Sequence, residues 1–208
     1  MVVGMKVLAI GAHPDDVELG VGGTLAKHSK LGDEVHIVVC TLGGIDNTPS
    51  RINEARKGAD ILNAKLHILD FNALSLNKYN KEFVKLLRDI YYKIEPDRLY
   101  VHSNYDLHQV HVTVNKCALK ACNDIKQIIF YESLSSTTKE FKPDAYVDIT
   151  EEIDIKIKAI KAHKSQANRT YMHPMPIRSL ANYRYVQGKV GNDPKGYAEA
   201  FMIYRLIF

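Results

Sequence analysis

Lys6-Val7-Leu8-Ala9-Ile10-Gly11-Ala12-His13-Pro14-Asp15-Asp16-Val17-Glu18-Leu19-Gly20 is the stretch from which the fold of this chain can be read. Its first half is a short apolar run that stops at a glycine, the pattern of a buried parallel strand entering a loop. Its second half leads into Gly20–Leu31, where Val21, Leu25, Ala26 and Leu31 fall near helical spacing and Gly32-Asp33 supplies a stop. Outward from there, Val35–Cys40 reads as a strand, Arg51–Leu62 as a helix and Leu66–Phe71 as a strand. Lys81–Ile94 is an amphipathic helix ended by Pro96, and Arg98–Val101 is a fourth strand. This strand–helix alternation predicts an α/β fold, a doubly wound and mostly parallel sheet with helices on both faces, whose ligands sit beyond the carboxyl ends of the strands. The residues after the first strand (His13, Asp16), after the second (Thr41–Arg51) and after the fourth (His102–His111) should therefore meet at one rim. Gln127–Tyr131 and Tyr146–Ile149 read as further strands, Glu151–His163 as a helix and Ala198–Ile207 as a closing strand. Tyr171–Asp193, punctuated by Pro174 and Pro176, reads either as a covering segment or as a plain surface connection.

The chain has 208 residues, 46% of them hydrophobic and 25% charged, which suits one domain spanning 1–208. A chain of this length buries roughly 70% of its unfolded surface without staples. Lys and Arg number 28 against 24 Asp and Glu, a net +4 scattered along the chain. That balance slightly favours anionic small molecules, and it lacks the clustered basic stripe and interleaved aromatics of a nucleic-acid binder. Cys40, Cys117 and Cys122 are odd in number and contain no C-x-x-C, as reduced, packed thiols do in a cytosolic setting. No apolar run reaches the ~20 residues of a membrane span, and Met1–Ile10 lacks the features of a cleavable signal. The expected location is the cytoplasm.

The polar cluster His13-Pro14-Asp15-Asp16-Val17-Glu18 places three acids and a histidine within six residues. Imidazole and carboxylate are good zinc ligands, and a catalytic zinc takes three of them and leaves a position open. His13 and Asp16 can supply two, leaving Asp15 free to serve as a general base. The competing reading makes Asp15 the cap of the following helix with Glu18 as its reciprocal partner. A third ligand has candidates in Asp106-Leu107-His108-Gln109-Val110-His111. If a helix starts at Asp106 with Gln109 as its capping-box partner, both histidines share a face of its first turn. Gly20-Val21-Gly22-Gly23-Thr24-Leu25 fails as a dinucleotide loop because Leu25 stands where a third glycine belongs, and Gly22 and Gly23 read as helix-packing positions. Arg51 suits a substrate clamp or a solvated helix face, and His102 a pocket wall or a structural role. His28, His36, His67 and His163 read as solvated or packed.

The first motif, Ala12 to Gly20 followed by Gly22-Gly23-Thr24-Leu25, resembles that of the LmbE/PIG-L family of zinc-dependent N-deacetylases. The resemblance runs on through Arg51, Glu54 and Ala55, then Asp106-Leu107-His108-Gln109 with His111, and Tyr146 to Thr150. It ends in His163-Lys164-Ser165-Gln166 and Tyr197 to Phe201. It implies a Rossmann-like fold, with His13, Asp16 and His111 binding Zn²⁺ and Asp15 as general base. It further implies His108 as oxyanion stabiliser or proton donor to the amine, and Arg51 as a substrate-orienting residue. The implied substrate is a small N-acetylated sugar conjugate of the N-acetylglucosamine type, and relatives often form homo-oligomers. The same ligand set also admits Fe²⁺. Two positions depart from the family pattern. Val110 stands where an aspartate usually supports the catalytic histidine, which leaves open a catalytically weakened sugar- or metal-binding homologue and makes Asp106 a candidate substitute. Tyr185 stands where glycine is common, with an expected effect on the substrate mouth.

Overall fold

The computed structural model describes residues 4–43, 49–71, 76 and 80–207. The middle of the Thr41–Arg51 loop, expected at the rim, thus lies outside the described residues. In chain order the elements are β1 (Lys6–Gly11), α1 (Asp16–Lys30), β2 (Glu34–Val39), α2 (Pro49–Ile61), β3 (Lys65–Ile68), α3 (Lys81–Ile94), β4 (Arg98–His102), α4 (Gln109–Ala121) and β5 (Gln127–Tyr131). Then come β6 (Ala145–Asp148), α5 (Ile153–Ile160), α6 (Pro174–Gln187) and β7 (Ala198–Leu206). Short 3₁₀ turns at Lys164–Gln166 and Thr170–Met172 link α5 to α6.

The strands form one sheet in the order β3-β2-β1-β4-β5-β7-β6. β1 to β5 are mutually parallel, while β7 runs antiparallel to both β5 and β6. Alternation along β1 shows how both faces are covered. Leu8 and Ile10 join Leu99, Val101 and the buried stripes of α3 and α4. Val7 and Ala9 join Ile37 and Val39, with Val17, Val21 and Leu25 of α1, Ala59 of α2 and Ala159 of α5. A third apolar cluster ties α5 to α6 through Ile157, Ile160, Ile177 and Ala181.

Local chemistry sets the element ends. Asn80 caps α3 by accepting from the backbone N–H groups of Glu82 (2.9 Å) and Phe83 (3.2 Å). The helix closes at Glu95, held at φ 52° immediately before Pro96. Gly23 lets α1 lie against β6 and α5, because a Cβ there would come within 2.7 Å of the Ile149 side chain. The larger correction to the sequence reading is Tyr171–Asp193, most of which is helix α6. Pro174 occupies its first turn, where a missing N–H costs nothing and a fixed φ helps, so the prolines start a helix here.

Candidate active site

β1 and β4 are neighbours from which the chain winds to opposite sides, so the crevice at their carboxyl ends is the switch point of the sheet. The loop after β1 carries His13 and Asp15, Asp16 opens α1, β4 ends in His102, and the loop after it carries Asp106 and His108 before His111 in the first turn of α4. His13, Asp15, Asp16, His108 and His111 line a cleft of about 410 Å³, together with Arg51, Gln166, Arg169 and Tyr171. A separate hollow beneath α6 has only about 30 Å³, room for roughly one water.

Asp15 does not cap α1. Its backbone sits in the left-handed region at φ 98° and its side chain makes no capping bond. A non-glycine residue there costs of order 1–3 kcal/mol, a cost typically tolerated where function needs the geometry. The residue is 6% exposed, and burial, reinforced by the charge of Asp16, pushes its carboxyl pKa up to about 8. Glu18, the supposed capping partner, turns instead to His163, whose Nε2 lies 3.0 Å from Glu18 Oε1. Gly58 makes room for this pair, since a Cβ there would stand 2.3 Å from Glu18 Oε1. Burial alone would lower the pKa of His163, but Glu18 raises it.

Asp16 is the hub. Its Oδ2 accepts from the His13 backbone N–H at 2.6 Å and lies 3.3 Å from His13 Nδ1; its Oδ1 lies 3.5 Å from His111 Nε2. Burial would raise the Asp16 carboxyl, but His111 and His102 hold it well below the usual range. Two sets of three donors close to within 4.8 Å of one another, His13–His108–His111 and Asp16–His102–His111. The trio expected from the sequence, His13, Asp16 and His111, is divided between them, two members in each.

Hydrogen bonding separates the two sets. His102 Nε2 accepts from the Ala12 backbone N–H at 3.0 Å, and its Nδ1 faces Ser133 Oγ at 3.2 Å. Burial, with His111 adding to it, pushes the His102 pKa down to about 4, so the ring is neutral and its acceptor lone pair is already engaged. His102 is a brace for the β1 loop. His111, in contrast, meets Asp106 Oδ2 through Nδ1 at 2.9 Å, which directs the Nε2 lone pair at Asp16 Oδ1. Two lone pairs facing one another at 3.5 Å call for a proton or a cation between them. Burial lowers the pKa of His111, yet Asp16 and Asp106 raise it overall, as expected of a nitrogen turned towards carboxylates. The donors around this gap are two imidazole nitrogens and a carboxylate oxygen, with His108 beside them, a set that fits a divalent zinc or iron ion.

Several expectations are corrected at this rim. Asp106 does not begin a helix: α4 starts at Gln109 with His108 as its cap, and Asp106 Oδ1 accepts from the His108 backbone N–H at 2.8 Å. Nor does Asp106 substitute for the acid missing at Val110, since its other oxygen serves His111. Val110 is 7% exposed and belongs to the apolar cluster under α4. The His108 ring stacks on His111 with centroids 4.3 Å apart and meets His13 edge-on at 5.0 Å. Burial, then His111 and His13, lower its pKa. Arg51 donates to the carbonyls of Leu42 (2.9 Å) and Pro14 (3.3 Å) and reaches within 3.9 Å of Asp15 Oδ2, so it grips the loop as well as lining the cleft. Tyr185 lies away from the cleft, packed over Gly191 and Gly196.

Residues 8–122 match the family described as PIG-L, GlcNAc-PI de-N-acetylase. The Escherichia coli K12 protein named uncharacterized deacetylase YaiS is 36% identical over 168 residues, which covers 76% of this chain and 90% of that one. The solved structure of the N,N'-diacetylchitobiose deacetylase from Pyrococcus horikoshii superposes with a TM-score of 0.79 at 28% identity, covering 96% of this chain and 83% of its own. GalB, the 4-carboxy-2-hydroxymuconate hydratase of Pseudomonas putida KT2440, reaches a TM-score of 0.86 with 98% of each chain covered, but at 22% identity this is a likeness of fold. The same scaffold thus carries more than one reaction, and the chemistry has to be argued from the site.

Proposed function

The chain belongs to the PIG-L family, and from that membership we propose that it is a metal-dependent N-deacetylase acting on an N-acetylglucosamine-type conjugate to release acetate and a free amine. The observation that carries this reading is Asp15, a buried carboxyl held in a strained backbone beside the donors His13, Asp16 and His111. Those three residues would hold the ion, Zn²⁺ by preference, with Fe²⁺ admitted by the same donors. Bound there, it supplies a Lewis acid that polarises the acetyl carbonyl and brings the pKa of water at the site towards ~7.

Every other part is played by the protein. Asp15 accepts a proton from the attacking water as the water oxygen bonds to the amide carbon. His108, at the cleft wall, stabilises the developing oxyanion and hands a proton to the departing amine nitrogen as the C–N bond breaks. Arg51 fixes the Pro14–Asp15 loop and orients the substrate from the same side. Asp106 keeps the His111 ring turned, and His102 keeps Ala12 in place. The buried, unpaired thiols support a cytoplasmic setting, and among the described residues no helix is long and apolar enough to cross a membrane.

The test is acetate release from a panel of N-acetylglucosamine glycosides by zinc-loaded and iron-loaded protein. Turnover by the wild type that collapses in Asp15→Asn supports the reading; no acetate from any glycoside with either metal overturns it. A second reading, a weakened sugar-binding homologue, draws on the absence of a carboxylate bonded to the His108 ring among the described residues. A large rate gain in Val110→Asp would favour it.

A further inference from the structure

Two histidines that the deacetylation chemistry leaves unused meet on the open edge of the sheet. β3 is the edge strand, and its register with β2 sets His67 beside Val38, two residues beyond His36. Both imidazoles therefore project from the face that packs against α3. His36 Nδ1 lies 2.9 Å from His67 Nε2, with the ring planes 15° apart and the centroids separated by 5.2 Å. That separation equals the N–N distance plus two ring radii, so the rings meet head-on through nitrogen instead of lying face to face. The other nitrogen of His36 is taken. Its Nε2 lies 2.9 Å from Glu34 Oε1, and Glu34 also pairs with Lys65. Lys65, then His36, hold the Glu34 carboxyl down to about 2, so it stays ionised and accepts from the His36 Nε2–H. This fixes the tautomer of His36 and turns the Nδ1 lone pair towards His67. None of the four residues lines the cleft.

We propose that His36 Nδ1 and His67 Nε2 form a chelating site, separate from the catalytic cluster, for a divalent transition-metal ion of tetragonal preference, nickel or copper. Two metal–nitrogen bonds of about 2.0–2.1 Å meeting at a right angle span about 2.9 Å, whereas a tetrahedral angle needs about 3.3 Å. The observed spacing is the tetragonal one. His67 is half-buried, and a tilt of its ring brings both lone pairs onto one point beside the N–N line, its proton moving to Nδ1. Behind His36, Glu34 supplies the carboxylate that orients a metal-bound imidazole. Burial, with His36 adding to it, lowers the pKa of His67 and keeps its ring unprotonated for an ion. Lys65 is answered by Glu34, while Lys93 of α3 bears on His67 and works against a cation, so the expected hold is modest. An ion here would tie the edge strand to its neighbour.

The test uses tag-free protein equilibrated with Zn²⁺, into which Ni²⁺ is titrated calorimetrically. Wild type is compared with His67→Gln, Glu34→Gln and, as a control for an exposed histidine elsewhere, His173→Gln. Wild type should take up one more equivalent of Ni²⁺ than His67→Gln, and His173→Gln should match wild type. Glu34→Gln should bind the same equivalent about tenfold more weakly, the usual cost of losing the carboxylate behind a metal-bound imidazole. Nuclear magnetic resonance of the zinc-equilibrated wild type needs no variant and keeps the proposal falsifiable should His67→Gln fail to fold. Substoichiometric Ni²⁺ should broaden the amide signals of residues 35–37 and 66–68 before any others. Equal Ni²⁺ uptake by wild type and His67→Gln overturns the proposal, as does broadening centred elsewhere. Neither readout involves acetate, so the outcome is independent of the deacetylase reading.

Discussion

Helix α1 carries buried charge at two places, and the two are finished differently. In its middle, Glu199 accepts from the backbone N–H groups of Gly23 (2.9 Å) and Thr24 (2.7 Å) and pairs with Lys156, which also donates to the Leu19 carbonyl at 2.7 Å. Each charge there is answered within the protein. At its start, Asp16 and His111 point lone pairs at each other and Asp15 is bent into a left-handed backbone with its carboxyl out of water. The first arrangement is what structural burial demands; the second leaves a gap that a proton or a cation can fill. Completeness of partners, rather than burial or charge, separates framework from workplace here.

That contrast can be broken by substitution. The largest expected effect is at Asp15→Asn, which should cut acetate release about 10³-fold while leaving metal content unchanged, as measured by turnover and elemental analysis. Next, Lys156→Met should lower stability by about 3–5 kcal/mol in urea unfolding by stranding Glu199, whereas the double variant with Glu199→Leu should recover most of it. Gly23→Ala should cost about 1–3 kcal/mol in the same assay, because the new methyl meets Ile149. The smallest effect carries the opposite sign. Asp15→Gly should raise the stability of metal-free protein by about 1 kcal/mol by relieving φ 98° and removing a buried carboxyl, while abolishing turnover. If Asp15→Gly is destabilising, the first turn of α1 is framework after all.

The sequence was most legible where one element carries its own signal. Lys81–Ile94 matches α3 residue for residue, because its apolar stripe and its boundary at Pro96 are local, and the β1 loop was readable because its chemistry lies within six residues. Helix α6 is hidden in the sequence because Pro174 and Pro176 read as breakers anywhere but in a first turn, which is where they stand. The antiparallel edge depends on β7 returning between β5 and β6, which no local pattern records. His163 reads as packed or solvated because its partnership with Glu18 spans 145 residues, beyond any spacing rule; the hint in the sequence is the family-like run His163-Lys164-Ser165-Gln166. The sequence suggests Asp106 as a support for His108, whereas it faces His111, because which imidazole it meets depends on where α4 begins.

The pairing of β1 with β4 has a consequence for synthesis. His13 and Asp16 leave the ribosome some ninety residues before His108 and His111, and at about 5–20 residues per second that interval is several seconds. During it the nascent chain offers one imidazole and one carboxylate, a half-set with little hold on any cation. The donor cluster comes into being only when β4 docks beside β1, so any ion taken up there would meet a sheet whose centre is already assembled.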